Sequence, residues 1–265
     1  MPAVRVREIE MAYDDVGRGP AVVLLHGFPF NRSMWAGQRE ALAASYRVIT
    51  PDLRGMGETA AGEGPATMEE MAHDVAALMD KLGIGRAAVG GLSMGGYVAL
   101  AFYRRHRLRA RALILADTRA GADTDEARRA REEQAQKILK QGAGIIADDF
   151  LKKVLTPETL SERPEVVARV REMIVKTDAR GAANALRGMA VRHDQTSFLE
   201  DVIVPTLILV GREDQLTPPK EAELLRREIR GSRVEVIANA SHLSNIERAA
   251  EFNLALKTFL DELRP

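Results

Sequence analysis

The chain has 265 residues, with Lys+Arg and Asp+Glu both 38 and a formal net charge of zero, so no overall basic field exists to hold DNA or RNA. Cysteine is absent, which excludes disulfides, thiolate zinc sites and cysteine nucleophiles together and fits a reducing compartment. The length suits one α/β core with an insertion, and the chemistry has to come from oxygen and nitrogen groups.

Residues 1–10 carry Arg5, Arg7, Glu8 and Glu10 and no apolar core, which is not a secretory pattern and implies a cytoplasmic protein. Within them, residues 4–13 alternate apolar and charged side chains (Val4, Val6, Ile9, Met11) and predict one antiparallel edge strand. Short apolar runs follow at 21–25, 47–50, 87–89, 112–116, 206–210 and 234–237. Most lack polar alternation, as strands covered on both faces of a parallel sheet do. All are far shorter than the roughly twenty apolar residues that cross a bilayer, so no membrane span is expected. Helical patterns at 33–44, 67–82, 95–105, 219–228 and 249–263 lie between the strands. Strand followed by helix, repeated, predicts a doubly wound α/β sheet.

The stretch 119–199 breaks this alternation with four helical patterns and no strand. Asp123 or Thr124 can cap the first and Gly142 can end it; Ile146, Phe150 and Val154 give the second an apolar face. Pro164 can open the third, and Asp178 can cap the fourth. The segment is read as a helical cap inserted into a core made of 1–118 and 200–265. Because it starts at the C-terminal end of a strand, it should fold over the edge where open α/β sheets bind ligands.

Gly91-Leu92-Ser93-Met94-Gly95 follows the strand at 87–89 and opens a helical stretch. In a strand-to-helix turn this tight, side chains in place of the flanking glycines would collide, and the serine hydroxyl is left projecting. Ser93 would sit at a helix N-terminus, where free amides and the dipole favour developing negative charge. A serine hydroxyl needs a neighbouring base, normally a histidine held by a carboxylate. Of the five histidines, His73, His106 and His193 lie in helical or Arg-rich surroundings that suit structural or solvated side chains. His242, in a loop directly after the strand at 234–237, is the candidate base. The candidate acid is Asp214, after the strand at 206–210, which gives the chain order Ser, Asp, His. Asp117, at the end of the preceding strand, and Glu213 are its rivals.

A tetrahedral intermediate needs two amide donors. Met94 N–H, next to the serine, is one candidate, and Phe28 N–H in the loop His26-Gly27-Phe28-Pro29 is the other. His26 is read as pinning that loop through hydrogen bonds, without proton transfer.

With these residues assembled, the chain resembles the α/β-hydrolase superfamily from end to end. The resemblance rests on His26-Gly27, on Asp52-Leu53-Arg54-Gly55-Met56-Gly57, on the elbow at 91–95, and on the Asp214 and His242 loops. The strings Gly-Leu-Ser-Met-Gly-Gly at 91–96, Asp214-Gln215-Leu216-Thr217-Pro218-Pro219 and 241–247 look most like the 3-oxoadipate enol-lactonase and small carboxylesterase branch. The resemblance implies a mostly parallel eight-stranded sheet with a helical cap after the sixth strand. It also implies an acyl-Ser93 mechanism without metal or organic cofactor, on a small-molecule ester of small or medium acyl length. Enol-lactone cleavage, carbon-carbon cleavage, perhydrolysis and ligand binding without turnover are the alternatives. Glu58-Thr59 departs from the small residue that usually closes the Asp52 turn.

Overall fold

The computed structural model describes residues 2–263; Met1, part of the segment read above for a leader, lies outside the described residues. One sheet of eight strands runs β1 (Ala3–Val6), β2 (Ile9–Val16), β4 (Arg47–Pro51), β3 (Ala21–Leu25), β5 (Ala87–Leu92), β6 (Ala110–Ala116), β7 (Thr206–Gly211) and β8 (Arg233–Ile237) in spatial order. The β1–β2 and β2–β4 pairs are antiparallel and the remaining pairs parallel. The single edge strand expected over 4–13 is two strands. Arg7 turns the chain at φ 51° and Val6 faces Ile9 across a hairpin.

Alternate residues of the central strands feed two separate cores, as the two-residue period requires. Val23, Leu25, Val89, Leu113, Leu115, Ile208 and Val210 pack on one face against α2 (Met68–Lys81), α3 (Met94–His106) and α9 (Pro219–Glu228). Val22, Leu24, Ala88, Ile114, Leu207 and Leu209 pack on the other against α1 (Ala36–Leu42) and α11 (Ala249–Glu262). Helix α2 starts at a capping box, with Thr67 Oγ1 accepting from Glu70 N and the Glu70 carboxylate accepting from Thr67 N.

Between β6 and β7 the chain forms α4 (Asp125–Gln141), α5 (Ala147–Val154), α6 (Pro157–Glu162), α7 (Pro164–Val175) and α8 (Ala179–Ala190). Thr124 caps α4, Pro164 opens α7 and Asp178 caps α8. The four helical patterns read from sequence are therefore five α-helices. The missed one, α6, is a short turn capped by Thr156 with Pro157 at its first position. Ala135, Ile138, Ala182, Ala185 and Leu186, from α4 and α8, join the first core. Leu151, Val154, Val170 and Ile174, from α5 and α7, join the second. Four of the five helices of this insertion thus divide between the two cores. Among the described residues no helix is long and apolar enough to cross a membrane.

Candidate active site

Strand β5 ends at Leu92, and Ser93 takes φ 56° and ψ −115° before α3 begins at Met94. Such a backbone is strained for a residue with a Cβ and persists only where its surroundings hold it. They do. Ser93 N donates to Ala116 O at 3.0 Å, and Ser93 O accepts from Thr118 Oγ1 at 2.8 Å and from Gly96 N at 2.9 Å. The two flanking glycines are needed for different reasons. A Cβ on Gly91 would lie 2.1 Å from Gly95 C, a collision inside the turn, whereas one on Gly95 would lie 2.1 Å from Leu25 O, a collision with β3.

Asp214 and His242 emerge from the C-terminal ends of neighbouring strands, β7 and β8, and both are buried. Asp214 Oδ2 accepts from His242 Nδ1 at 2.8 Å and from Thr217 Oγ1 at 2.6 Å. Its Oδ1 accepts from Leu216 N at 2.8 Å and Thr217 N at 3.0 Å, an Asx turn that fixes the carboxylate in its own loop. Burial pushes the Asp214 carboxyl up, but the imidazole and the donors from His242 and Thr217 outweigh it and hold the group below the usual aspartate range. With Nδ1 committed to the carboxylate, Nε2 is the ring nitrogen left to work, and it has no hydrogen-bond partner among the described residues.

The rival acids are placed otherwise. Glu213 is exposed. Asp117 is fully buried at φ 43°, with Oδ1 accepting from Gly211 N at 2.8 Å and Oδ2 bonded to Ser244 Oγ, so it braces β7 and the segment after His242 without touching the imidazole. Burial, and then the negative charge of Asp214, push its carboxyl well above the usual range. His73 and His106 pair with each other, Nδ1 to Nε2 at 2.9 Å, and His193 is exposed.

The loop after β3 is held from beneath. His26 is buried; its Nε2 accepts from Leu53 N at 2.9 Å, so its Nδ1–H points at Gly27 O, also at 2.9 Å. Burial keeps this ring neutral by lowering its pKa below the ordinary histidine value. The loop passes close to the elbow: a Cβ on Gly27 would stand 3.4 Å from Ser93 Cβ. Neither Phe28 N nor Met94 N has an acceptor among the described residues, and Met94 directly follows Ser93 in the chain.

Two contributors were not found in the sequence. Thr217 completes the cradle of Asp214, and its position three residues after the aspartate was the available signal. Glu247, 2% exposed, accepts from Ser241 N at 2.7 Å through Oε2 and from Thr156 N at 2.8 Å and Thr156 Oγ1 at 2.9 Å through Oε1, joining the His242 loop to the cap. Thr59, one of the two departures in the Asp52 turn, bonds Asp52 O and Ala12 N, and Glu58 pairs with Arg32 at 2.9 Å, so the departure is structural. Among the described residues no group of three or more His, Cys, Asp or Glu is gathered to hold a metal ion.

Sheet order, crossovers and the elbow together place the molecule in the class of α/β hydrolases. The chain belongs to the alpha/beta hydrolase fold family, which matches over residues 20–249. A thermophilic esterase from Thermogutta terrifontis superposes with a TM-score of 0.98 at 42% identity, covering 100% of both chains. The enol-lactonase from Burkholderia xenovorans LB400 gives 0.92 at 33% identity, covering 98% of this chain and 100% of its own. The 3-oxoadipate enol-lactonase 2 of Acinetobacter baylyi is 30% identical over 260 residues, 96% of this chain and 94% of that protein. The protein is a hydrolase.

Proposed function

We propose that the protein hydrolyses carboxylic esters of small or medium acyl groups through an acyl-Ser93 intermediate. The observation that carries this reading is the buried Asp214–His242 pair at 2.8 Å on the edge of the sheet that also presents Ser93. Asp214 holds the Nδ1 proton, so His242 Nε2 takes the Ser93 proton as Oγ attacks the ester carbonyl. Phe28 N–H and Met94 N–H receive the oxyanion. His242 then gives its proton to the departing alcohol; in the second half it takes a proton from water, whose hydroxyl oxygen attacks the acyl carbon, and returns that proton to Ser93 Oγ as the acyl–serine bond breaks. Each step moves protons between groups named here, and the net change is ester plus water to acid plus alcohol.

A second reading keeps these steps and closes the ester into a ring. The enol-lactonases among its relatives favour it, because an enol-lactone is an ester whose leaving oxygen stays attached to the product. The test is release of p-nitrophenol from acetate, butyrate and octanoate esters by wild type and Ser93→Ala, with 3-oxoadipate enol-lactone assayed in parallel. Turnover that vanishes in the variant is expected. Equal rates in both proteins would overturn the acyl-serine mechanism, and activity confined to the lactone would select the second reading.

A further inference from the structure

The loop that carries Phe28 is held at Gly27 from both sides of the residue. Gly27 O accepts from His26 Nδ1 and from Phe30 N, each at 2.9 Å, and Gly27 N donates to the thioether of Met34, with 3.3 Å between N and Sδ. No other acceptor meets that amide among the described residues. The Gly27–Phe28 peptide is trans, so its oxygen and its amide hydrogen point opposite ways, and the two donors at Gly27 O turn the Phe28 N–H away from themselves. Glycine has the widest backbone freedom of any residue type, so a bond on each side of Gly27 is what fixes the peptide that follows it. Met34 supplies the one on the N-terminal side.

Met34 is buried in the short turn Arg32–Trp35. A thioether is a weak acceptor, but a buried amide left with no acceptor at all costs more than an ordinary hydrogen bond contributes. The main chain of the same residue reaches toward the base. Met34 O accepts from Asn245 Nδ2 at 3.1 Å, and Asn245 lies three residues after His242. Asn245 and Gln38, both buried, exchange a pair of bonds: Asn245 Nδ2 donates to Gln38 Oε1 at 3.2 Å and Gln38 Nε2 to Asn245 O at 3.1 Å. One residue thus ties the Phe28 loop to the segment that carries His242.

We propose that Met34 is a positioning residue for the ester cleavage: its sulfur sets where the Phe28 N–H meets the oxyanion, and its carbonyl references that donor to the His242 loop. The proposal rests on the acyl-Ser93 reading and deepens it with a side chain that acts through Gly27 alone. Met34 forms no hydrogen bond with Ser93, Asp214 or His242 among the described residues.

The experiment removes the sulfur and keeps the volume, in Met34→Leu and Met34→Ile, swaps of a kind that cores tolerate. Each variant is verified as folded by its thermal transition. For wild type and variants, kcat/KM per titrated active site is measured on p-nitrophenyl acetate and on its thiono analogue, in which sulfur replaces the carbonyl oxygen and accepts hydrogen bonds more weakly. The ester should slow about fivefold, the scale of one weak hydrogen bond and well short of the roughly 10²–10³ that follows loss of an oxyanion donor. The thionoester, which draws less on that donor, should slow by less than about twofold. Equal slowing of both compounds, or slowing of neither, overturns the proposal, because a general loosening of the core does not distinguish oxygen from sulfur. Failure of both variants to fold overturns it as well, by making Met34 a packing residue. The wild type keeps the two readings apart: if it cleaves neither compound, the ester reading falls and this role with it, whereas an active wild type with unselective variants defeats the role of Met34 alone.

Discussion

Two aspartates lie at the ends of adjacent strands, and their surroundings separate them. Asp214 is kept ionised by the imidazole and by three donors from its own loop, whereas Asp117 is buried without a cation and is pushed toward its neutral form by Asp214 itself. Asp214→Asn should therefore lower kcat on an activated ester by about 10³–10⁴, through loss of the correct imidazole tautomer, while Asp117→Asn keeps most of the activity. A large loss in Asp117→Asn alone would reverse the assignment. The same shift predicts a pH dependence of stability. The folded-state pKa of Asp117 lies above its unfolded value of 3.8, so the folded state binds the extra proton and the group's contribution is full below that pH and is lost as pH rises through the folded value. Asn mimics the neutral acid. The melting temperature of Asp117→Asn minus that of wild type should grow from pH 4 to pH 8, and a gap constant with pH would refute the raised value.

Among the elements, local chemistry and tertiary contact contribute unequally. Helix α2 was readable because its start is self-contained: Thr67 and Glu70 satisfy each other's amides within one turn. Thr67→Ala should cost about 1 kcal/mol, read as a lower urea midpoint at unchanged slope. A midpoint equal to wild type would show that packing alone fixes that helix. The β1–β2 hairpin was missed although the sequence carried its mark. The apolar phase of Val4 and Val6 is broken at Ile9 and Met11 by one extra residue, which a single strand does not tolerate and a two-residue turn explains. Helix α6 was missed because it is shorter than any window in which helical period shows, leaving only the pair Thr156-Pro157.

At the scale of the molecule, core and cap are fastened at the base loop. Glu247 takes one donor from Ser241, beside His242, and two from Thr156 at the head of α6, while Leu243 N donates to Val154 O at 3.1 Å. A carboxylate so buried is costly once a partner is lost. Thr156→Val should destabilise the protein by about 1–3 kcal/mol and speed hydrogen exchange in 154–162 and 241–247 together. Faster exchange in the cap with the base loop unchanged would mean that the two are not mechanically joined.

The sequence by itself determined most of the strands and helices and the residues Ser93, Asp214, His242, Phe28 and Met94 as the set to examine, because hydrophobic period, caps and the glycines of a tight turn are properties of neighbours along the chain. Only the tertiary structure decided that Asp214 and not Asp117 meets the imidazole, that Gly95 is required by β3, and that Glu247 ties the insertion to the base loop. Each of these joins side chains from distant parts of the chain. Contacts of that kind follow from how the strands order themselves and where the insertion settles, and no local pattern of residues encodes that order.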